Sequence, residues 1–96
     1  MTQTAAVDPD AAPRRVRLRV RGVVQGVGFR PFVFGLARRL GLSGHVLNDS
    51  QGVLIEIEGM GVQGFGDLLR SQAPPLARID AIEWEDLPLS GGSAFV

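Results

Sequence analysis

A chain of 96 residues with 45% hydrophobic content can build one core, which leaves no room within it for a second and excludes disorder throughout. The lack of cysteine removes disulfides and thiolate chemistry, the single histidine leaves little for a zinc site, and no apolar run nears the ~20 residues of a membrane helix. Net charge is zero but uneven: all ten basic residues are arginine, eight of them within residues 14–39, and eight of the ten acidic residues lie from Asp49 onward. Such a split suits either an anionic ligand or pairing between the two halves.

Residues 1–13 (MTQTAAVDPDAAP) show no periodicity and read as a disordered leader, and residues 14–96 as the domain. The N-terminus lacks a basic-plus-apolar signal pattern, so a cytoplasmic protein is expected. From 15 to 23 the chain alternates. Val16, Leu18 and Val20 face one way, Arg15, Arg17, Arg19 and Arg21 the other, as in a half-buried strand.

A glycine-rich loop follows, with Gly22, Gly26 and Gly28 in seven residues. Its N–H groups can converge on one concavity, backed by the positive end of the next helix. Arg30 stands at the lip, with a guanidinium able to grip two oxygens of a phosphate. The stretch reads as an oxyanion cradle for phosphate or sulfate.

Pro31 suits the first helical position. Val33, Leu36, Ala37 and Leu40 then share one helix face, Arg38 and Arg39 sit in the last turn, and Gly41 is a C-cap. Residues 44–49 form a second strand and Val53, Ile55 and Ile57 mark a third, joined by the turn residues 48–52 into a hairpin. A second helix is expected over 61–72 on Val62, Phe65, Leu68 and Leu69, although its interior glycines each cost up to ~1 kcal/mol against alanine. Pro74-Pro75 stop it. Ile79, Ile82 and Trp84 mark a fourth strand over 77–86, with a bulge near Asp80 or Ala81 because their spacing breaks alternation. Gly91-Gly92 is a hinge, and Ser93–Val96 forms a short fifth edge strand.

The order is β-α-β-β-α-β, so the predicted fold class is α+β: a ferredoxin-like sandwich with one antiparallel sheet and two helices on one face. Strands one and three are then neighbours, which sets Arg17 and Arg19 beside Glu56 and Glu58 on the open face. RNA recognition modules share this topology but carry stacking aromatics at those positions. The charges found there argue against a nucleic-acid partner.

The run Gly22-x-Val24-Gln25-Gly26-Val27-x-Phe29-Arg30, followed by Gly44-x-Val46-x-Asn48 and the turn glycine Gly52, resembles the two signatures of the acylphosphatase family. Phe29-Arg30-Pro31-Phe32-Val33 and Ala73-Pro74-Pro75-Leu76-Ala77-Arg78-Ile79-Asp80 further resemble the N-terminal domain of hydrogenase-maturation carbamoyltransferases of the HypF type. The resemblance implies hydrolysis of an acyl phosphate, carbamoyl phosphate in the larger enzymes, with no cofactor and no metal. It implies the remaining domains of such an enzyme as partners. A stand-alone acylphosphatase, or a domain that binds carbamoyl phosphate without turnover, is the alternative.

The resemblance assigns Arg30 to phosphate binding, with the backbone N–H groups of Gln25, Gly26, Val27, Gly28, Phe29 and Arg30. It assigns Asn48 to orienting the attacking water, although Asn48 also suits a plain hairpin bend. The family commonly has tryptophan at the place of His45 and a polar or basic residue at that of Leu47. His45 could carry a proton, but reads better as a strand residue filling that place.

Overall fold

The computed structural model describes residues 12–96, so most of the expected leader lies outside the described residues. Its elements are β1 (Arg14–Val23), α1 (Phe29–Arg39), β2 (Ser43–Asp49), β3 (Gly52–Gly59), α2 (Phe65–Gln72) and β4 (Arg78–Leu87). The four strands form one antiparallel sheet in the order β2-β3-β1-β4. The predicted order of elements and the fold class hold.

The alternation of β1 sets the layers. Val16, Leu18 and Val20 stand opposite Ile57, Ile55 and Val53, and all six are fully buried. They meet Phe29, Val33, Leu36 and Ala37 of α1 and Phe65 and Leu69 of α2. Transfer of apolar surface from water, at about 25 cal/mol per Å², is the main force on this layer.

Helix α1 begins two residues before the expected start. Pro31 is its third residue, where a missing N–H still has no intrahelical partner. Its end matches the expectation: Gly41 N–H donates to Arg38 O at 3.1 Å and Leu42 N–H to Ala37 O at 2.9 Å. The helix expected over 61–72 is split into a 3₁₀ turn at Val62–Gly64 and then α2. Gly66 has a packing reason, because a Cβ there would lie 2.7 Å from Cζ2 of Trp84. The β1–β4 register runs Arg21–Ala81 and then Gly22–Ile79, skipping Asp80, which places the bulge as expected. The fifth edge strand reduces to one parallel bridge, Gly44 to Phe95. There Gly44 N–H donates to Ala94 O, Val96 N–H to Gly44 O, and the Phe95 ring meets Phe34 edge-on at 5.5 Å.

On the open face the arginines are answered one by one. Arg15 and Arg17 share Glu56 at 2.7 and 3.0 Å, Arg17 also reaches Glu85 and Arg21 reaches Glu83, while Arg14 reaches Asp86 on the helix side of the sheet. Arg19 departs from the expected pairing and binds Asp49 at 2.5 Å. The register explains this, because Glu58 stands opposite Arg15, far along the strand from Arg19. Glu58 instead accepts from Ser90 and from the Gly91 N–H. The uneven charge of the sequence is thus taken up by pairing between the halves.

These pairs make stability depend on acid. Burial alone would raise the Glu56 carboxyl, but the Arg17 hydrogen bond and the charges of His45, Arg17 and Arg15 outweigh it and hold it below the usual range. Asp49 is held low by the Arg19 hydrogen bond and the Gln51 N–H, and Glu58 by the Ser90 hydroxyl and the Gly91 N–H. All three are stronger acids folded than unfolded. Their contribution is therefore present above the unfolded values near ~4 and is lost as pH falls through the lower folded values. The thermal midpoint should drop between about pH 6 and about pH 3, with a shallower drop in Glu56→Gln. A midpoint that holds level across that range would refute this.

Candidate phosphate-binding site

The loop of residues 24–28 joins the central strand β1 to α1. Its ends are pinned, since Val24 and Phe29 are each 1% exposed. Between them Gln25, Gly26 and Gly28 are exposed. Gly26 (φ 73°) and Gly28 (φ 79°) take left-handed backbone, yet nothing lies within 4 Å of a Cβ on either. These glycines serve the path of the chain and not the packing.

Gly28 is also the N-cap of α1, which has no side-chain cap and no acidic residue in its first turn. The first intrahelical bond runs from Phe32 N–H to Gly28 O. Pro31 has no N–H, so the turn offers those of Phe29 and Arg30 to an outside acceptor, at the positive end of the helix. Arg30 is exposed, and no ion pair among the described residues includes it. It borders a groove of about 440 Å³ shared with Pro31, Phe34, Gly35, Val46 and Val96.

Asn48 stands opposite Val53 in the β2–β3 ladder, and Val46 opposite Ile55. Val53 and Ile55 face the core, so Asn48 and Val46 project to the helix side of the sheet. Val46 shares the groove with Arg30. On the other flank, Gln25 Nε2 donates to Asp49 O at 2.7 Å and to Gly52 O at 3.1 Å. Along β2, Asn48 thus lies between Val46, which lines the groove with Arg30, and Asp49, whose carbonyl is tied to the loop. The arrangement can hold an anion on N–H groups and one guanidinium, with a carboxamide at its border.

His45 and Leu47 pair with Glu56 and Leu54 and so lie on the open face, across the sheet from Asn48. This removes the proton-carrier reading of His45. Sequence reasoning missed the Gln25 side chain and the anchoring of Asp49 by Arg19. The Gln51 N–H to Asp49 Oδ1 bond, at 2.8 Å, was legible as local turn chemistry. The Arg19 partner, 30 residues away, left no local signal. Among the described residues no three His, Asp or Glu side chains gather as a metal site, and no helix is long and apolar enough to cross a membrane.

A family model described as Acylphosphatase matches residues 16–96. The chain is 58% identical over 95 residues to the carbamoyltransferase HypF of Rhizobium leguminosarum bv. viciae, which covers 99% of this chain and 12% of that protein. It is 42% identical over 74 residues to an acylphosphatase of Caldivirga maquilingensis, covering 74% of this chain and 78% of that one. The crystal structure of full-length HypF in the phosphate- and nucleotide-bound form superposes with a TM-score of 0.83 at 35% identity, covering 88% of this chain and 11% of that one. The chain thus spans about a tenth of the carbamoyltransferases it matches and most of the acylphosphatase.

Proposed function

This chain belongs to the acylphosphatase family, and we propose that it hydrolyses carbamoyl phosphate, and acyl phosphates generally, to carbamate or carboxylate and inorganic phosphate. The observation that carries the reading is the uncapped N-terminus of α1, with its glycine loop and Arg30, drawn up beside the end of β2 that bears Asn48. N–H groups from Gln25 to Arg30 and the Arg30 guanidinium hold the phosphoryl oxygens. The Asn48 amide orients a water in line with the bond to the acyl oxygen. An acyl phosphate carries its own good leaving group, so holding and aiming are the main tasks left to the protein.

The context we propose is the cytoplasm, with residues 14–96 serving as one domain of a carbamoyltransferase in nickel–iron hydrogenase maturation. The match to HypF over nearly the whole chain supports it. The groove beside Arg30 takes the acyl end. Its apolar wall of Pro31, Phe34 and Val46 favours a range of acyl groups beyond carbamoyl, as in a general acylphosphatase.

The test is phosphate release by the purified chain from carbamoyl phosphate and from acetyl phosphate, against an enzyme-free blank. Both should be hydrolysed. Asn48→Ala should lose about a hundredfold in kcat while inorganic phosphate inhibits as before. Release no faster than the blank, or an Asn48→Ala enzyme as fast as its parent, would sink the mechanism.

A further inference from the structure

We propose that the Gln25 side chain is a positioning residue: it straps the anion cradle to the strand that carries Asn48, and so fixes the line of attack of the water on the bound phosphate. The proposal rests on the reading of the cradle as an acyl-phosphate site, and adds a contact which that reading does not use.

Both hydrogens of one amide are spent on this strap. Gln25 Nε2 reaches Asp49 O and Gly52 O, the carbonyls of the pair that closes the β2–β3 hairpin. Beside the strap the loop and the hairpin turn are parted by an open groove of about 500 Å³, with Arg21 to Gln25 on one bank and Ser50 to Gly52 on the other. The loop bank needs a tie, because its left-handed glycines have wide conformational freedom. The turn bank is a fixed point. Arg19 grips both oxygens of Asp49 at 2.5 and 2.6 Å, and the Gln51 N–H adds a third bond. Asn48 is joined directly to Asp49, so whatever sets the Asp49 carbonyl sets the plane from which the Asn48 amide projects. An exposed side chain with two neutral hydrogen bonds contributes little net stability. Its effect falls on the angle between the two halves of the site, where a displacement near 1 Å can cost about a hundredfold in rate.

Gln25→Met keeps the length and removes the donors without adding charge. With acetyl phosphate, kcat should fall about 10- to 100-fold, while KM and the inhibition constant of inorganic phosphate stay within about threefold. In an Asn48→Ala background the same substitution should cost nothing further, because Gln25 acts through Asn48. In ¹⁵N spectra under a titration with inorganic phosphate, the amides of residues 49–52 should shift together with those of 26–29. In Gln25→Met the loop amides should still shift and the turn amides stay in place.

An unchanged kcat would overturn the proposal. So would an equal loss in both backgrounds, a phosphate inhibition constant that rises as far as kcat falls, or turn amides that follow phosphate equally in both proteins. A parent chain that neither hydrolyses acetyl phosphate nor binds phosphate would overturn the cradle itself, and the strap with it.

Discussion

Arg30→Ala loses roughly a hundred- to a thousandfold in kcat/KM for an acyl phosphate and keeps its fold. The guanidinium is the one full positive charge carried by the first turn of α1, whose other donors are backbone N–H groups with partial charge. Charge develops on the phosphoryl oxygens, and a preorganised cation there acts without reorganisation. The side chain is exposed and belongs to no ion pair among the described residues. Its removal should therefore move stability by no more than about 0.5 kcal/mol. Arg30→Lys should recover part of the rate, since it keeps the charge and loses the two-pronged grip. Steady-state kinetics with acetyl phosphate, inhibition by inorganic phosphate and a thermal melt together decide the matter. An Arg30→Ala enzyme that is equal to its parent in rate and phosphate affinity would remove Arg30 from the site.

The largest expected effect on the fold comes from Gly44→Ala. A Cβ at Gly44 would lie 1.9 Å from the carbonyl oxygen of Glu56, 2.7 Å from its carbon and 3.1 Å from Cα of Ile57. All three atoms are β3 backbone, so no side chain can swing aside. Gly44 also has φ 134°, and both its N–H and its C=O are committed to the segment after β4. Backbone strain of about 1–3 kcal/mol and an overpacking cost of about 1–3 kcal/mol add to roughly 2–6 kcal/mol. Against a total stability of about 5–15 kcal/mol, that leaves a weakly folded or unfolded chain. Urea or thermal melts measure it. Gly35→Ala in α1 is the contrast: nothing lies within 4 Å of a Cβ there, and the variant should gain up to ~1 kcal/mol of helix propensity. If Gly44→Ala melts with the parent, the close approach of β2 to β3 is not as described.

What could be read from the sequence follows the range of each interaction. The alternation of Val16, Leu18 and Val20 is written within six residues, and the sheet layer followed from it. The broken spacing of Ile79, Ile82 and Trp84 likewise gave the bulge at Asp80. The start of α1 at Phe29 was missed because Gly28, not Pro31, turns the chain into the helix. The division of the second helix was foreshadowed by its glycines, but the use of Gly66 depends on Trp84 across the fold. The site divides in the same way. As proposed site residues, the loop, Arg30 and Asn48 stand within two local signatures. The strap from Gln25 and the Arg19–Asp49 pair span 24 and 30 residues, and no periodicity encodes them.

The sheet order carries a consequence for how the chain is made. β1 lies between β3 and β4, with Arg14 opposite Gly59 and Arg15 opposite Leu87. On the ribosome the first of these four strands must wait for the last of them before both its edges are paired. Contacts of such long sequence separation slow folding, and an unpaired apolar strand is open to association meanwhile. Arg17 and Arg19 separate Val16, Leu18 and Val20, and with Arg14, Arg15 and Arg21 flanking them they act as gatekeepers during that wait. The row that the finished sheet neutralises thus protects the nascent chain while it is still bare.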